Sequence, residues 1–182
     1  MRSDASLAFV PIGTPLSLVA ADGVDIASSQ IIDLIGSGSG TAPANIIGTR
    51  TLFGADMGIG SDRPMIDVVL GTGLVTGNSA TLNIALQGAP DTGSGGGYLP
   101  GTWQTFAESG EITAAQGTAN TRVARLDIEA AFPENVLPRY LRLLFQVPAS
   151  THFTAGTCSF AIVTSSRDDQ SNMYAAKNFK VA

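Results

Sequence analysis

Hydrophobic and polar residues alternate with a period of two along much of this chain. In residues 139–147, Leu141, Leu143, Phe145 and Val147 share one face, while Tyr140, Arg142, Leu144 and Gln146 share the other. That is the pattern of a half-buried strand, because successive side chains of a strand point to opposite faces. Residues 81–87 alternate more cleanly, with Leu82, Ile84 and Leu86 predicted inward. In 122–129, Ala124, Leu126 and Ile128 oppose Val123, Arg125, Asp127 and Glu129. Residues 158–164 predict a fourth strand with Cys158, Phe160 and Ile162 inward, and 64–70 a fifth. Residues 30–35 and 102–107 are shorter candidates.

Turn chemistry separates these runs. Gly and Ser alternate over residues 36–40, Gly77-Asn78-Ser79 follows Thr76, and a Gly-rich stretch covers 91–97; all favour loops. Pro90, Pro100, Pro133, Pro138 and Pro148 fall at strand borders, where a missing N–H does least harm. No segment longer than about ten residues keeps a 3.6-residue period, and the best helical candidate, 169–176, lacks an apolar stripe. Strands spaced by ~8–20 residues without helices between them imply an all-β fold, an antiparallel β-sandwich or jelly roll. The connections 36–63 and 88–101 suit crossings between sheets. The reading is a single domain over residues 1–182, with extended terminal arms at 1–16 and 167–182.

Composition narrows the chemistry. The chain has 182 residues, 21 Gly and 33 Ser plus Thr, and charged residues make up 14%, well below the usual quarter. A net charge of -5 with only two Lys argues against binding nucleic acid, which needs clustered basic charge. No run approaches the ~20 apolar residues of a membrane span. The first fifteen residues lack the apolar h-region of a signal peptide, so secretion gains no support. A single Cys158 and a single His152 exclude a disulfide framework and a Cys/His zinc site within one chain; no cofactor is expected.

The remaining candidates for chemistry each have a plainer reading. Gly93-Ser94-Gly95-Gly96-Gly97 is followed by Tyr98-Leu99-Pro100 and not by the Gly-Lys-Ser/Thr of a phosphate loop, so a sharp turn is expected. Glu108 and Glu111 flank Ser109-Gly110, where carboxylates are ordinarily solvated hairpin ends and not a glycosidase pair. His152 sits in a polar loop and reads as a surface residue, whereas Cys158 reads as a small buried hydrophobe. Asp22, Asp25 and Asp91 lie near glycines without the spacing of a calcium loop. Arg122, Arg125, Arg139 and Arg142 project from two predicted strands; a solvated face and an interface are both open for them.

Several segments resemble the jelly-roll capsid cement, or head-decoration, proteins of tailed bacteriophages. They are residues 43–54 (PANIIGTRTLFG), 80–89 (ATLNIALQGA), 95–105 (GGGYLPGTWQT), 138–143 (PRYLRL), 153–157 (FTAGT) and the tail from Arg167-Asp168-Asp169-Gln170 to Lys177-Asn178. The likeness covers residues 30–182 and lies in the order and wording of these segments. It implies a structural virion protein without an active site, made in the host cytoplasm and seated on the outer capsid surface. Its partners would be the major capsid protein and further copies of itself, as dimer or trimer. On that reading Arg50, Arg63, Arg167, Tyr174, Lys177 and Phe179 are expected contacts. The alternative is a carbohydrate- or receptor-binding β-sandwich, for which Trp103, Tyr98 and Tyr140 would have to form an exposed sugar platform.

Overall fold

A computed structural model describes residues 7–35, 43–47, 64–93, 97–128 and 138–165. The elements are β1 (Ala8–Val10), β2 (Leu16–Ser17), β3 (Ile26–Ala27), β4 (Ile31–Asp33), β5 (Ile46–Ile47) and β6 (Pro64–Thr76). They continue with β7 (Thr81–Ala89), β8 (Gln104–Glu108), β9 (Ile112–Thr113), β10 (Arg122–Asp127), β11 (Tyr140–Gln146) and β12 (Phe153–Ser165). No α-helix occurs among the described residues. The strands form two sheets that enclose one apolar core, so the chain is an all-β sandwich.

The topology follows from which strands share a partner. β1 and β2 run consecutively along β12, β3 and β4 along β11, and β8 and β9 along β7. Each pair is one broken strand. With each pair counted as one, the order is β1/β2–β12–β6–β10 in the first sheet and β3/β4–β11–β7–β8/β9 in the second. First pairs with last, second with next to last, and so inward, which is the winding of a jelly roll. Among the described residues the one departure from antiparallel pairing is β5, which adds to β4 in parallel through Ile31↔Ile46 and Ile32↔Ile47.

The period-two expectation holds where the ladder is regular. Leu82, Ile84 and Leu86 of β7 and Leu141 and Leu143 of β11 are fully buried. Each such side chain contributes about 1.5–3 kcal/mol on burial. A one-residue slip would turn the whole set to solvent, so the register is strongly fixed. Gly88 and Phe106 complete this corner, because a Cβ on Gly88 would run into the Phe106 ring. The aromatic side chain fills the space that the missing side chain leaves.

Three expectations are corrected. Phe160 is not in the core: β-bulges between Thr157 and Phe160 shift the phase, so that Cys158, Ala161 and Val163 face inward while Phe160 is half-exposed. An extra residue in one strand inverts everything beyond it. Within residues 1–16, expected as an extended arm, β1 and Leu16 lie along β12 instead, with Phe9 and Val10 fully buried. Residues 108–112 do not form a hairpin. Ser109 bonds back to Ile84 in both directions (2.9 Å each), and Gly110 takes a positive φ, so β8 kinks and continues as β9 along the same partner. The expected arm at 167–182 and the helical candidate at 169–176 lie outside the described residues.

Candidate interaction surface

The six expected contacts, Arg50, Arg63, Arg167, Tyr174, Lys177 and Phe179, lie outside the described residues. The candidates for chemistry lie within them. Glu108 and Glu111 are both exposed, on either side of the kink at the β8–β9 edge. Burial pushes the Cys158 thiol up to about 12, which makes it a poor nucleophile. His152, expected to be a plain surface residue, has a partner: its Nδ1 lies 2.6 Å from Oδ1 of Asp22. Among the described residues no group of three or more His, Cys, Asp or Glu could hold a metal ion, and no helix is long and apolar enough to cross a membrane.

The strand-borne arginines are organised quite differently from a solvated face. Arg139 stands at the mouth of β11, where its backbone N–H donates to Ala89 and its carbonyl accepts from Leu34. Its Nε and Nη2 donate to the two carboxylate oxygens of Asp33, each at 3.1 Å, and Nη1 donates to Asp91. Asp33 is 0% exposed and Arg139 is 8% exposed. The guanidinium also lies 5.0 Å from the Tyr98 ring centre and 5.1 Å from that of Tyr140. A bidentate fork with two π faces is what guanidinium offers and ammonium does not.

Asp91 carries this cluster into the loop that follows β7. Its Oδ1 accepts from the amides of Gly93 and Leu99, both at 3.0 Å, which closes the base of the Gly-rich stretch. The Asp91↔Pro100 bridge and bonds from Thr92 to Leu99 and from Gly101 to Pro90 complete the closure. Burial works against the charged carboxylate, but the Leu99 and Gly93 amides and the Arg139 charge outweigh it and hold Asp91 below its ordinary range. The Tyr140 phenol is pushed well above its ordinary range, chiefly by burial. The loop is thus tied to the end of the second sheet by one arginine.

The neighbouring outer face repeats the theme. Arg142 donates from Nε to Gln87 Oε1 (2.9 Å), Gln87 donates to Thr105 (3.2 Å), and the Trp103 ring centre lies 4.2 Å from the Arg142 guanidinium carbon. On the other sheet, Asp67 of β6 accepts from Arg125 Nε and Nη2 at 2.9 and 3.3 Å and from Thr164 at 3.1 Å, with Arg122 at 3.6 Å. The three aromatic residues of a sugar platform do not come together as one exposed surface. Tyr140 is buried, while Tyr98 and Trp103 each have an arginine on a ring face.

Sequence reasoning missed these clusters, although a signal was present. Asp33 and Asp67 each interrupt an otherwise apolar run, IIDLI and MIDVVL. A carboxylate in such a run is rarely buried unless paired. Which arginine it meets is set by sheet order, which the sequence does not state. No protein-family model matches the sequence, and no curated protein is similar to it.

Proposed function

We propose that this chain is a structural virion protein that binds the outer surface of a phage capsid, bridges neighbouring major capsid subunits and stabilises the shell against the pressure of packaged DNA. The observation that supports this reading is spatial. Of the segments with the wording of cement proteins, 138–143 lies far along the chain from 80–89 and from the described part (97–105) of 95–105, yet the three meet at one corner of the second sheet. There Arg139 and Arg142 fasten a loop that the sequence alone leaves free. A loop held rigid loses little entropy on docking, so its contacts count nearly in full towards affinity. Many modest contacts from one rigid body give firm attachment on a lattice that fixes their effective concentration.

Co-sedimentation of the purified chain with capsid shells lacking it, followed by a heat challenge, tests the reading. Saturable binding at a fixed ratio to capsid subunits, on shells that then survive hotter, is the expected result. Absence of binding at micromolar concentration overturns it. Removal of residues 167–182 is expected to lower occupancy while the sandwich stays folded, and unchanged occupancy would remove that tail from the contact surface.

A further inference from the structure

The end of the sandwich opposite Arg139 is built from tight connections, and one of them contains the only Asp-Gly sequence of the chain, Asp22-Gly23; there is no Asn-Gly. An aspartate before glycine is the arrangement most prone to cyclise, because the glycine nitrogen carries no neighbouring side chain to shield it. The Asp22 side chain is 56% exposed, so water reaches it. Two contacts nonetheless hold the reacting groups. His152 Nδ1 lies 2.6 Å from Asp22 Oδ1, and the Gly23 N–H donates to the Thr151 carbonyl at 2.9 Å.

His152 is itself fixed from a third side. Its N–H donates to Asn78 Oδ1 at 2.9 Å, and Asn78 Nδ2 donates to the Ser150 carbonyl at 2.6 Å. Gly77 lies so close that a Cβ there would sit 2.7 Å from His152 Nε2. Gly23 has φ +65°, and a Cβ on it would lie 3.0 Å from Ala149 Cα, so only glycine fits without strain. The residue that makes the peptide labile is therefore demanded by the turn.

We propose that Asp22-Gly23 is a self-modification site that converts to isoaspartate, and that His152 is the positioning residue that keeps it closed. In the reaction the Gly23 nitrogen attacks Cγ of Asp22. The N–Cγ bond forms on the protonated carboxyl group, the bond from Cγ to its hydroxyl oxygen breaks, and that hydroxyl leaves with the amide proton as water. Hydrolysis of the five-membered ring then returns either aspartate or isoaspartate, with no oxidant or reductant involved. Isoaspartate routes the main chain through the side-chain carbon and lengthens it by one methylene. The carboxyl group then departs from the α-carbon and no longer meets His152, so the loop does not reclose. The modification turns a transient opening of this end into a permanent one.

The test is ageing of the full-length chain at neutral pH, with isoaspartate at position 22 measured by peptide mass spectrometry and by methylation with an isoaspartyl methyltransferase. The folded chain is expected to convert slowly, the urea-unfolded chain fast, and His152→Ala about fivefold faster than the parent, the loss of one exposed charge-assisted contact. Asp22→Glu, whose longer side chain does not form the five-membered ring, is expected to abolish the signal at that position. Far-ultraviolet circular dichroism checks that His152→Ala remains folded. If it is not, Asn78→Ala, which removes only the bonds to His152 and Ser150, replaces it. Equal rates in the parent and the folded variant, or no conversion in the unfolded chain, would overturn the proposal.

Discussion

Among the described residues each sheet carries an ionic cluster on its outer side, and the two clusters are opposites. The first centres on a carboxylate, Asp67, surrounded by Arg125, Arg122 and Thr164. The second centres on a guanidinium, Arg139, held between Asp33 and Asp91. Asp67 and Arg125 are direct cross-strand partners in β6 and β10, so their contact is part of the ladder itself. Arg139 instead joins two strand ends to a loop. Exposure differs as well: the Arg125 side chain is 26% exposed, whereas the Arg139 side chain is 9% and Asp33 is 0%. A pair that keeps access to water loses little when broken. One without it leaves a buried charge short of its countercharge, so the second cluster governs stability as well as loop position.

The sharpest way to break the comparison is Arg139→Met. It leaves the buried Asp33 carboxylate without its bidentate donor, and losing one partner of a buried pair costs about 3–5 kcal/mol. Urea unfolding should read that loss, and the Tyr98 loop should become susceptible to proteolysis before the sandwich does. A loss no larger than that of a surface pair would mean that solvent, or the Ile35 N–H that already donates to Asp33 Oδ1 at 3.0 Å, suffices to hold the carboxylate.

Next in size is the pH dependence of the loop clasp. Asp91 is held below its ordinary value of 3.8, so it contributes stability that is present above that pH and is lost as pH falls through its folded value. Acid should therefore loosen the 90–101 loop only below about pH 4. Asp91→Ala removes two amide bonds and one ionic partner together, a cost of about 2 kcal/mol at neutral pH. Its stability should then vary less than that of the parent between pH 5 and 2, measured by urea midpoints. An identical slope would place the acid sensitivity elsewhere.

The sequence shows the sandwich more clearly than the clusters because the two depend on different ranges of information. Alternation in 81–87 and 139–147 is local, and the inward residues of β7 and β11 follow it. Phe160 departs because the bulges of β12 belong to its pairing with β6, which periodicity within one strand does not carry. β1, β2, β3, β5 and β9 are too short for a period to register. Arg139 and Asp33 are 106 residues apart, and only the winding of the sheets brings them together. The bare arginine count was visible, whereas their engagement within the chain was not.

Arg125→Met probes the milder cluster. Asp67 retains Thr164 at 3.1 Å and Arg122 at 3.6 Å, so the expected cost is about 1 kcal/mol. The companion Asp67→Asn should cost a similar amount, because both arginines can turn to water. A loss as large as that of Arg139→Met would erase the distinction between the two sheets.

The smallest effect belongs to Arg142, which is neither a hub nor a solvated charge. Burial lowers its pKa, yet an arginine starts so high that it stays charged. Trp103, the only tryptophan, reports on it directly because the guanidinium lies over its ring. Arg142→Met should cost about 0.5–1 kcal/mol and shift the tryptophan emission. Arg142→Lys separates the causes. If flat stacking and the Nε bond to Gln87 hold the contact, lysine should behave like methionine despite its charge, since an ammonium has neither a planar face nor an Nε donor. If lysine restores both stability and emission, charge alone suffices there, and the case for the guanidinium fork rests on Arg139.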